Sequence, residues 1–205
     1  MILVAFFTNR VFNSRTYILS RPDYDYVWLV DCGDADRILE LVEGKIIKGI
    51  LLTHAHSDHI YGLEAVIERF PAVKVYTNAY GVEALKSPQL NISRYHSEYP
   101  DISIDAPDNI HVLSEGDSFD VFGVPVKVYE TLGHDPSCLT YIVGDMAFTG
   151  DAYIPGVKVF GGFRRSNRKQ AEESVKRILE LSSGCQIMPG HTVVDLCETG
   201  LREGE

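Results

Sequence analysis

The stretch LLTHAHSDHIYGL, Leu51 to Leu63, sets three histidines and an aspartate within six positions of a chain that has seven histidines in all. The apolar run IIKGILLT leads into it, the pattern of a strand covered on both faces. Behind it Leu63, Val66, Ile67 and Phe70 recur at helical spacing until Pro71 ends the period. The cluster therefore sits where a buried strand hands over to a helix. Side chains alternate along an extended chain, so His54 and His56 point the same way, and Asp58 and His59 at the helix start face a second position nearby. A structural histidine needs one hydrogen-bonded niche. Three imidazoles gathered with a carboxylate form the ligand set of a cation, most commonly a metal.

Upstream, ILVAFFT (Ile2 to Thr8), RTYILS (Arg15 to Ser20) and DYVWLVD (Asp25 to Asp31) read as short strands, the first of them buried. ADRILELV has helical spacing at Ile38, Leu41 and Val42. Downstream come a strand, VKVYT, and a short helix, AYGVEALK. Strands resume with IHVL, SFDVF, VPVKVYETL, CLTYIVG and MAFTG, joined by turns at Glu115-Gly116-Asp117 and Gly123. A helix is expected over Arg168 to Leu181, with Ala171, Val175, Ile178 and Leu179 on its apolar stripe and Asn167 as cap, Gln170 standing three residues on. CQIMPGH reads as a last short strand running into a turn. Two strand-rich halves, each with its own helices, imply two sheets packed face to face with helices outside, in one domain over 1–205. Ser87 to Asn109 breaks the pattern: it is polar, holds three prolines and shows no period. A connection that long is expected to be functional, bordering the active site and gating substrate, with Tyr95 and Tyr99 as wall residues.

The totals narrow the class of function. With 45% hydrophobic and 23% charged residues, the 205-residue chain can bury a substantial core. A net charge of -10 argues against nucleic acid as partner, because phosphate binding needs a basic face. GGFRRSNRK (Gly161 to Lys169) is the one basic cluster. Cys32, Cys138, Cys185 and Cys197 form no CxxC pair and read as free thiols of a reducing compartment, hence a cytoplasmic protein. MILVAFF has no basic flank and is too short to span a membrane. A small-molecule substrate is the expected partner, with neither nucleic acid nor membrane.

Three further donors follow strands and stand beside turn residues: His134 in TLGHDP, Asp151 in FTGDAY and His191 in MPGHTV. Five histidines and two carboxylates exceed the needs of one tetrahedral ion and divide naturally into two sites. A nitrogen and oxygen set without thiolates suits zinc, manganese or iron. His96 and His111 fit no such pattern and read as ordinary residues.

T-H-x-H-x-D-H after a buried strand, then G-H, G-D and P-G-H in that order, resembles the metallo-β-lactamase-fold hydrolases over nearly the whole chain. The resemblance implies an αββα four-layer sandwich of two mixed sheets flanked by helices. It implies that His54, His56 and His134 bind one metal, that Asp58, His59 and His191 bind a second, and that Asp151 bridges them. Asp31 in LVDCG matches an acid that supports the histidine loop. The bridging Asp151 sets the glyoxalase II-like, lactonase-like and phosphodiesterase-like branches apart from true β-lactamases, and the lack of an export signal points the same way. LKSPQLNIS and LSEGDSFDVFG resemble small glyoxalase II-like (hydroxyacylglutathione hydrolase-like) thioesterases. KVFGG (Lys158 to Gly162) resembles the Lys-x-aromatic segment that holds the glutathione backbone there, with Phe160 in place of the usual Tyr and without the helical substrate domain. Tyr153 stands near where lactonases keep a Tyr for the substrate carbonyl, so a lactonase is the alternative, beside an iron-dependent redox or persulfide-oxidising protein. The chain departs from the family pattern at Asp135, Ser137 and Cys138, in GHDPSCLTY, and at Tyr61, in DHIYG. The implied function is a hydrolase with two divalent ions, zinc first and iron or manganese otherwise. In it Asp58 and Asp151 orient the activated water that attacks a small thioester or ester carbonyl.

Overall fold

The computed structural model describes residues 1–97 and 99–192, so the reading of Cys197 and the end of the 1–205 domain lie outside the described residues. A six-stranded sheet runs in sequence order through β1 (Leu3–Thr8), β2 (Arg15–Ser20), β3 (Tyr26–Val30), β4 (Ile46–Leu51), β5 (Lys74–Asn78) and β6 (Ile110–Leu113). Its first three strands pair antiparallel, and β3 to β6 are parallel. A five-stranded sheet comprises β7 (Ser118–Val121), β8 (Val124–Glu130), β9 (Leu139–Val143), β10 (Met146–Gly150) and β11 (Gln186–Pro189), in the order β11-β10-β9-β8-β7. Only the β10–β11 pair of this second sheet is parallel.

Alternation along the strands builds two separate cores. Tyr17, Leu19, Trp28, Val30 and Leu51 face Val126, Val128, Leu139, Tyr141 and Phe148 between the sheets. On the other face of the first sheet, Ile18, Val27, Leu29, Ile47 and Ile50 pack with Ile38 of α1 (Ala35–Leu41) and with Leu63 and Val66 of α3 (Leu63–Arg69). Each such side chain contributes roughly 1.5–3 kcal/mol by leaving water. Behind the second sheet, Ile178 of α5 (Arg168–Leu181) packs with Cys138, Ala152 and Tyr153. The layers are therefore helix, sheet, sheet, helix, as expected. β4 is the doubly covered strand, and Gly49 within it has a steric reason. A Cβ there would stand 2.3 Å from the ring of Trp28 on the paired strand.

Three readings need correction. β1 is not a buried strand: it is an edge strand paired to β2, and Leu3 and Phe6 are about half exposed (51% and 53%). An apolar run does not distinguish an edge from an interior position; here Arg15 and Arg37 lie over the Phe6 and Phe7 rings instead of a second strand. β6 joins the first sheet, parallel to β5, although it opens the second run of strands. On α5 the buried stripe is Ala171, Ser174 and Ile178, while Leu179 is exposed. The cap holds, with Asn167 Oδ1 accepting from Gln170 N at 3.1 Å.

The segment from Ser87 to Asn109 follows α4 (Ala79–Leu85) and is pinned rather than loose. The buried Asn91 side chain donates to the carbonyls of Ala84 (3.0 Å) and Ile102 (2.9 Å) and accepts from Ser93 N (3.0 Å). Its own carbonyl accepts from Ser57 N at 2.9 Å. The Tyr99 hydroxyl bonds to Ser57 Oγ, and its ring stacks on Tyr61 with centroids 6.0 Å apart. Tyr61, a departure from the family pattern, is thus the platform for Tyr99. The segment lies directly against the histidine turn, whereas Tyr95 points to solvent and is 64% exposed.

Candidate metal centre

The C-terminal ends of β4, β8, β10 and β11 converge on one edge of the sandwich, stitched by main-chain bonds between the sheets. Leu139 N donates to Thr53 O (2.7 Å), and Arg15 N donates to Gly190 O (2.8 Å). The residues that follow these strands are His54, His134, Asp151 and His191. Between His54 and the single-turn helix α2 (Ser57–Ile60), extended backbone carries His56 as the N-cap, and Asp58 and His59 occupy the helix.

Each imidazole presents one nitrogen to a common interior. His54 Nδ1 lies 3.2 Å from Thr53 Oγ1, His59 Nδ1 lies 2.9 Å from Asp31 Oδ2, and His134 Nδ1 donates to the Phe160 carbonyl at 2.9 Å. His56 is turned the other way: its Nε2 is 3.3 Å from Asp135 Oδ2, and its Nδ1 is 3.1 Å from His134 Nε2. The inward atoms lie at related spacings. Asp58 Oδ2 is 3.4 Å from His59 Nε2 and 3.2 Å from His191 Nε2. Asp151 faces both ways, with Oδ1 3.6 Å from His59 Nε2 and Oδ2 3.7 and 3.5 Å from the Nε2 atoms of His134 and His191. A tetrahedral ion with ligands at about 2.1 Å has ligand–ligand edges of about 3.4 Å. His54–His56–His134, His54–His59–Asp151 and Asp58–His59–His191 are the three donor groups compact enough to share an ion among the described residues. The Nε2 atoms of His54 and His59 and Oδ1 of Asp151 are buried without a hydrogen-bond partner. Unpaired buried donors and acceptors are costly, and a cation at their centre removes the cost.

Asp31 holds one side of this centre. It takes a left-handed backbone conformation (φ 59°) just past β3, and its carboxylate accepts from Thr53 N and Thr53 Oγ1, both at 2.8 Å. One residue thereby fixes both Thr53 and His59. Gly190 keeps the other side open. A Cβ there would stand 2.3 Å from Asp151 Oδ1 and 2.8 Å from His59 Cε1.

Electrostatics divides the donors. Burial holds His54 well below its ordinary value, reinforced by the neighbouring imidazoles, and lowers His134 to about 4 in spite of Asp151. At His59 burial is outweighed by Asp58, Asp31 and Asp151, which carry it up to about 10. His191 is also raised, its burial overcome by Asp151 and Asp58. Burial would lift the carboxyls of Asp58 and Asp151, yet the surrounding imidazoles hold both below the usual carboxylate range. Asp135 is lowered too, its burial opposed by His56 and Ser137.

All seven expected donors and Asp31 therefore meet at one place. Asp58 and Asp151 keep 10% and 15% of their side chains exposed, against 4% or less for the histidines, so the centre opens to solvent at its carboxylates. Tyr153, Lys158 and Phe160 also come together, but elsewhere. They line a cavity of about 720 Å³ with Arg168, Val175 and Lys176, on the α5 side of the loop whose Phe160 carbonyl holds His134. Sequence reasoning missed Phe163, whose ring stands edge-on to His56 (4.8 Å) and His134 (5.6 Å). It also missed Thr53 as a link between Asp31 and His54. A hydroxyl beside the first ligand, within the motif itself, was the available signal for Thr53; Phe163 carried none.

The sequence pattern of the Metallo-beta-lactamase superfamily matches residues 10–191. A hydroxyacylglutathione hydrolase of Xylella fastidiosa (strain M12) is 35% identical over 140 residues, 68% of this chain and 45% of that protein. The chain thus spans about half the length of that relative. Among solved structures, the BLEG-1 B3 metallo-beta-lactamase superposes with a TM-score of 0.83 at 25% identity, covering 92% of this chain and 91% of its own. TTHA1623, crystallised in a di-iron-bound form, superposes at 0.76 with 24% identity over 91% of both chains.

Proposed function

This chain belongs to the metallo-beta-lactamase superfamily, and on that premise we propose that it is a binuclear metal-dependent hydrolase of small thioesters or esters. The observation that carries the reading is the set of inward donor atoms spaced 3.1–3.7 Å apart, several of them buried and unpaired. His54, His56 and His134 would hold one ion, Asp58, His59 and His191 the other, and Asp151 would face both. Asp31, Asp58, Asp135 and Asp151 bring four carboxylates to the centre, a charge that two divalent cations would offset. An all nitrogen and oxygen donor set favours zinc, with iron or manganese as alternatives. Bound divalent ions supply Lewis acidity and bring a water toward deprotonation near neutral pH.

The chain's own groups do the positioning. Asp58 and Asp151, the least buried members, would accept hydrogen bonds from an incoming water and aim its lone pair at a carbonyl carbon. Phe163 closes the His56–His134 side against bulk water. A thiolate departs without a proton, which suits a centre whose raised imidazoles are committed as donors. The relative named hydroxyacylglutathione hydrolase supports thioester chemistry. Tyr153 packs with Cys138, Ala152 and Ile178, which weakens the lactonase alternative. Similarity over nine-tenths of both chains to a structure called a B3 metallo-beta-lactamase makes a lactam the competing substrate.

Matched thioester, lactone, lactam and phosphodiester substrates test the reading. The thioester is expected to lead the phosphodiester and the lactam in kcat/KM by at least about tenfold, about 1.4 kcal/mol in the barrier. A tenfold preference for either of the others would overturn it.

Metal uptake should also depend on pH in an asymmetric way. His59, raised to about 10, and His191 must give up protons to become ligands, whereas His134, lowered to about 4, and His54 are neutral already. A raised group binds metal less well as the pH falls below its value, by about tenfold per unit for each displaced proton. Zinc titrations of metal-free protein against a competing chelator at pH 8 and pH 6 are therefore expected to show one ion weakened at least about 100-fold, the share of the His59 proton alone over two pH units, and the other much less.

A further inference from the structure

We propose that Asp135 is a positioning residue for the His54–His56–His134 metal position, holding the His56 ring by Nε2 so that Nδ1 faces inward as the donor. The inference rests on the metal-binding reading above and deepens it. His56 is the one imidazole of the centre that presents Nδ1, so its Nε2 proton points away from the other donors and needs an acceptor at a buried site. Among the described residues Nε2 has no aligned hydrogen-bond partner, and the anion beside it is Asp135 Oδ2 at 3.3 Å.

Asp135 is itself anchored. Oδ1 accepts from Ser137 N at 2.8 Å and from the Ser137 hydroxyl, and that hydroxyl oxygen in turn accepts from Ala55 N at 2.9 Å. Ala55 stands between His54 and His56. The chain Ala55–Ser137–Asp135–His56 therefore closes a ring that ties the histidine strand to the turn after His134. The device is built twice. On the other side, Thr53 donates its N–H and its hydroxyl to Asp31, and Asp31 turns to His59 Nδ1. In both cases one hydroxyl residue gives two bonds to a buried carboxylate, which then faces one histidine. Asp31 serves a histidine of one donor group, and Asp135 serves a histidine of the other. A carboxylate behind a ligating imidazole fixes its tautomer and strengthens its donor nitrogen, and its loss commonly weakens metal affinity by about 10–100-fold. Asp135 and Ser137 are also two of the positions at which this chain departs from the pattern it resembles, so the arrangement belongs to this sequence.

The test uses the full chain, stripped of metal and titrated with zinc against a chromogenic chelator. Asp135→Asn keeps the shape and removes the charge, and Ser137→Ala unfastens the carboxylate without touching it. Asp135→Asn is expected to weaken one of the two binding steps by about 10–100-fold and leave the other within about threefold. Ser137→Ala should weaken the same step by less, and Asp31→Asn, whose carboxylate faces His59 directly and reaches His54 only through Thr53, should weaken the other step most. Visible absorption of the cobalt-substituted protein should shift in Asp135→Asn, while the melting temperature of the metal-free form stays near that of the parent. Both steps unchanged in Asp135→Asn, or both lowered equally, would overturn the inference while leaving the metal-binding reading intact. A parent chain that takes up no metal would overturn that reading and the inference with it.

Discussion

Asp151→Ala is expected to lower kcat for thioester hydrolysis by about three orders of magnitude, equivalent to about 4 kcal/mol in the barrier. Its metal content should fall from two ions per chain to one or fewer. Among the described residues Asp151 is the carboxylate that faces histidines of both donor groups, His134 of one through Oδ2 and His59 and His191 of the other through Oδ1 and Oδ2. Its loss would leave two half-sites without a shared anion. The metal-free variant should melt below the metal-free parent at neutral pH, because Asp151 is a counterion to the raised imidazoles of His59 and His191. The stabilisation by added zinc, which grows with the logarithm of concentration over Kd, should shrink. Elemental analysis, steady-state kinetics and melting curves with and without zinc check the three parts separately. An Asp151→Ala protein with full turnover would end the binuclear reading.

Gly190→Ala is expected to be nearly as damaging, although it changes no donor. Its new methyl would stand 2.3 Å from Asp151 Oδ1 and 2.8 Å from His59 Cε1, distances that real Cβ atoms do not show, so both side chains must move. The backbone there lies outside the left-handed region, and both main-chain bonds, Gly190 N to Gly150 O and Arg15 N to Gly190 O, remain available to alanine. The two tightest contacts are side chains of the centre, so most of the strain falls there, with a lesser contact on the Gly150 backbone carbon at 3.1 Å. A loss of about 100-fold or more in kcat/KM is expected, with reduced metal content and a far-ultraviolet circular dichroism spectrum like that of the parent. Turnover within twofold of the parent would mean that Asp151 and His59 do not act where they stand.

The donors were legible because each follows a strand end and stands in a short motif, so one-dimensional order mapped onto one edge of the sandwich. The two sheets were legible for a related reason. β4 reads as a strand covered on both faces, and its neighbours alternate cleanly between the two cores. β1 misled because its apolar residues are those of an interior strand, while its place at the sheet edge depends on pairing across the whole sheet. The unperiodic segment after α4 announced its position but not its anchoring, which runs through a buried amide at Asn91 and a ring stack between Tyr61 and Tyr99. Tyr153, Lys158 and Phe160, read from two different branches of the family, share one cavity, and it lies on the α5 side of the loop that holds His134. Asp135 stood out in the sequence only as a departure from the family pattern. Its meaning depends on the ring orientation of His56, which no spacing rule specifies.

The most direct measurement is elemental analysis of the purified full chain, with thioester hydrolysis assayed on the same sample before chelation, after it and after zinc is restored. The expected result is close to two zinc ions per chain, hydrolysis abolished by chelation and recovered as the second equivalent is added. Undiminished hydrolysis with less than one metal per chain, or iron with oxygen consumption and no hydrolysis, would contradict it.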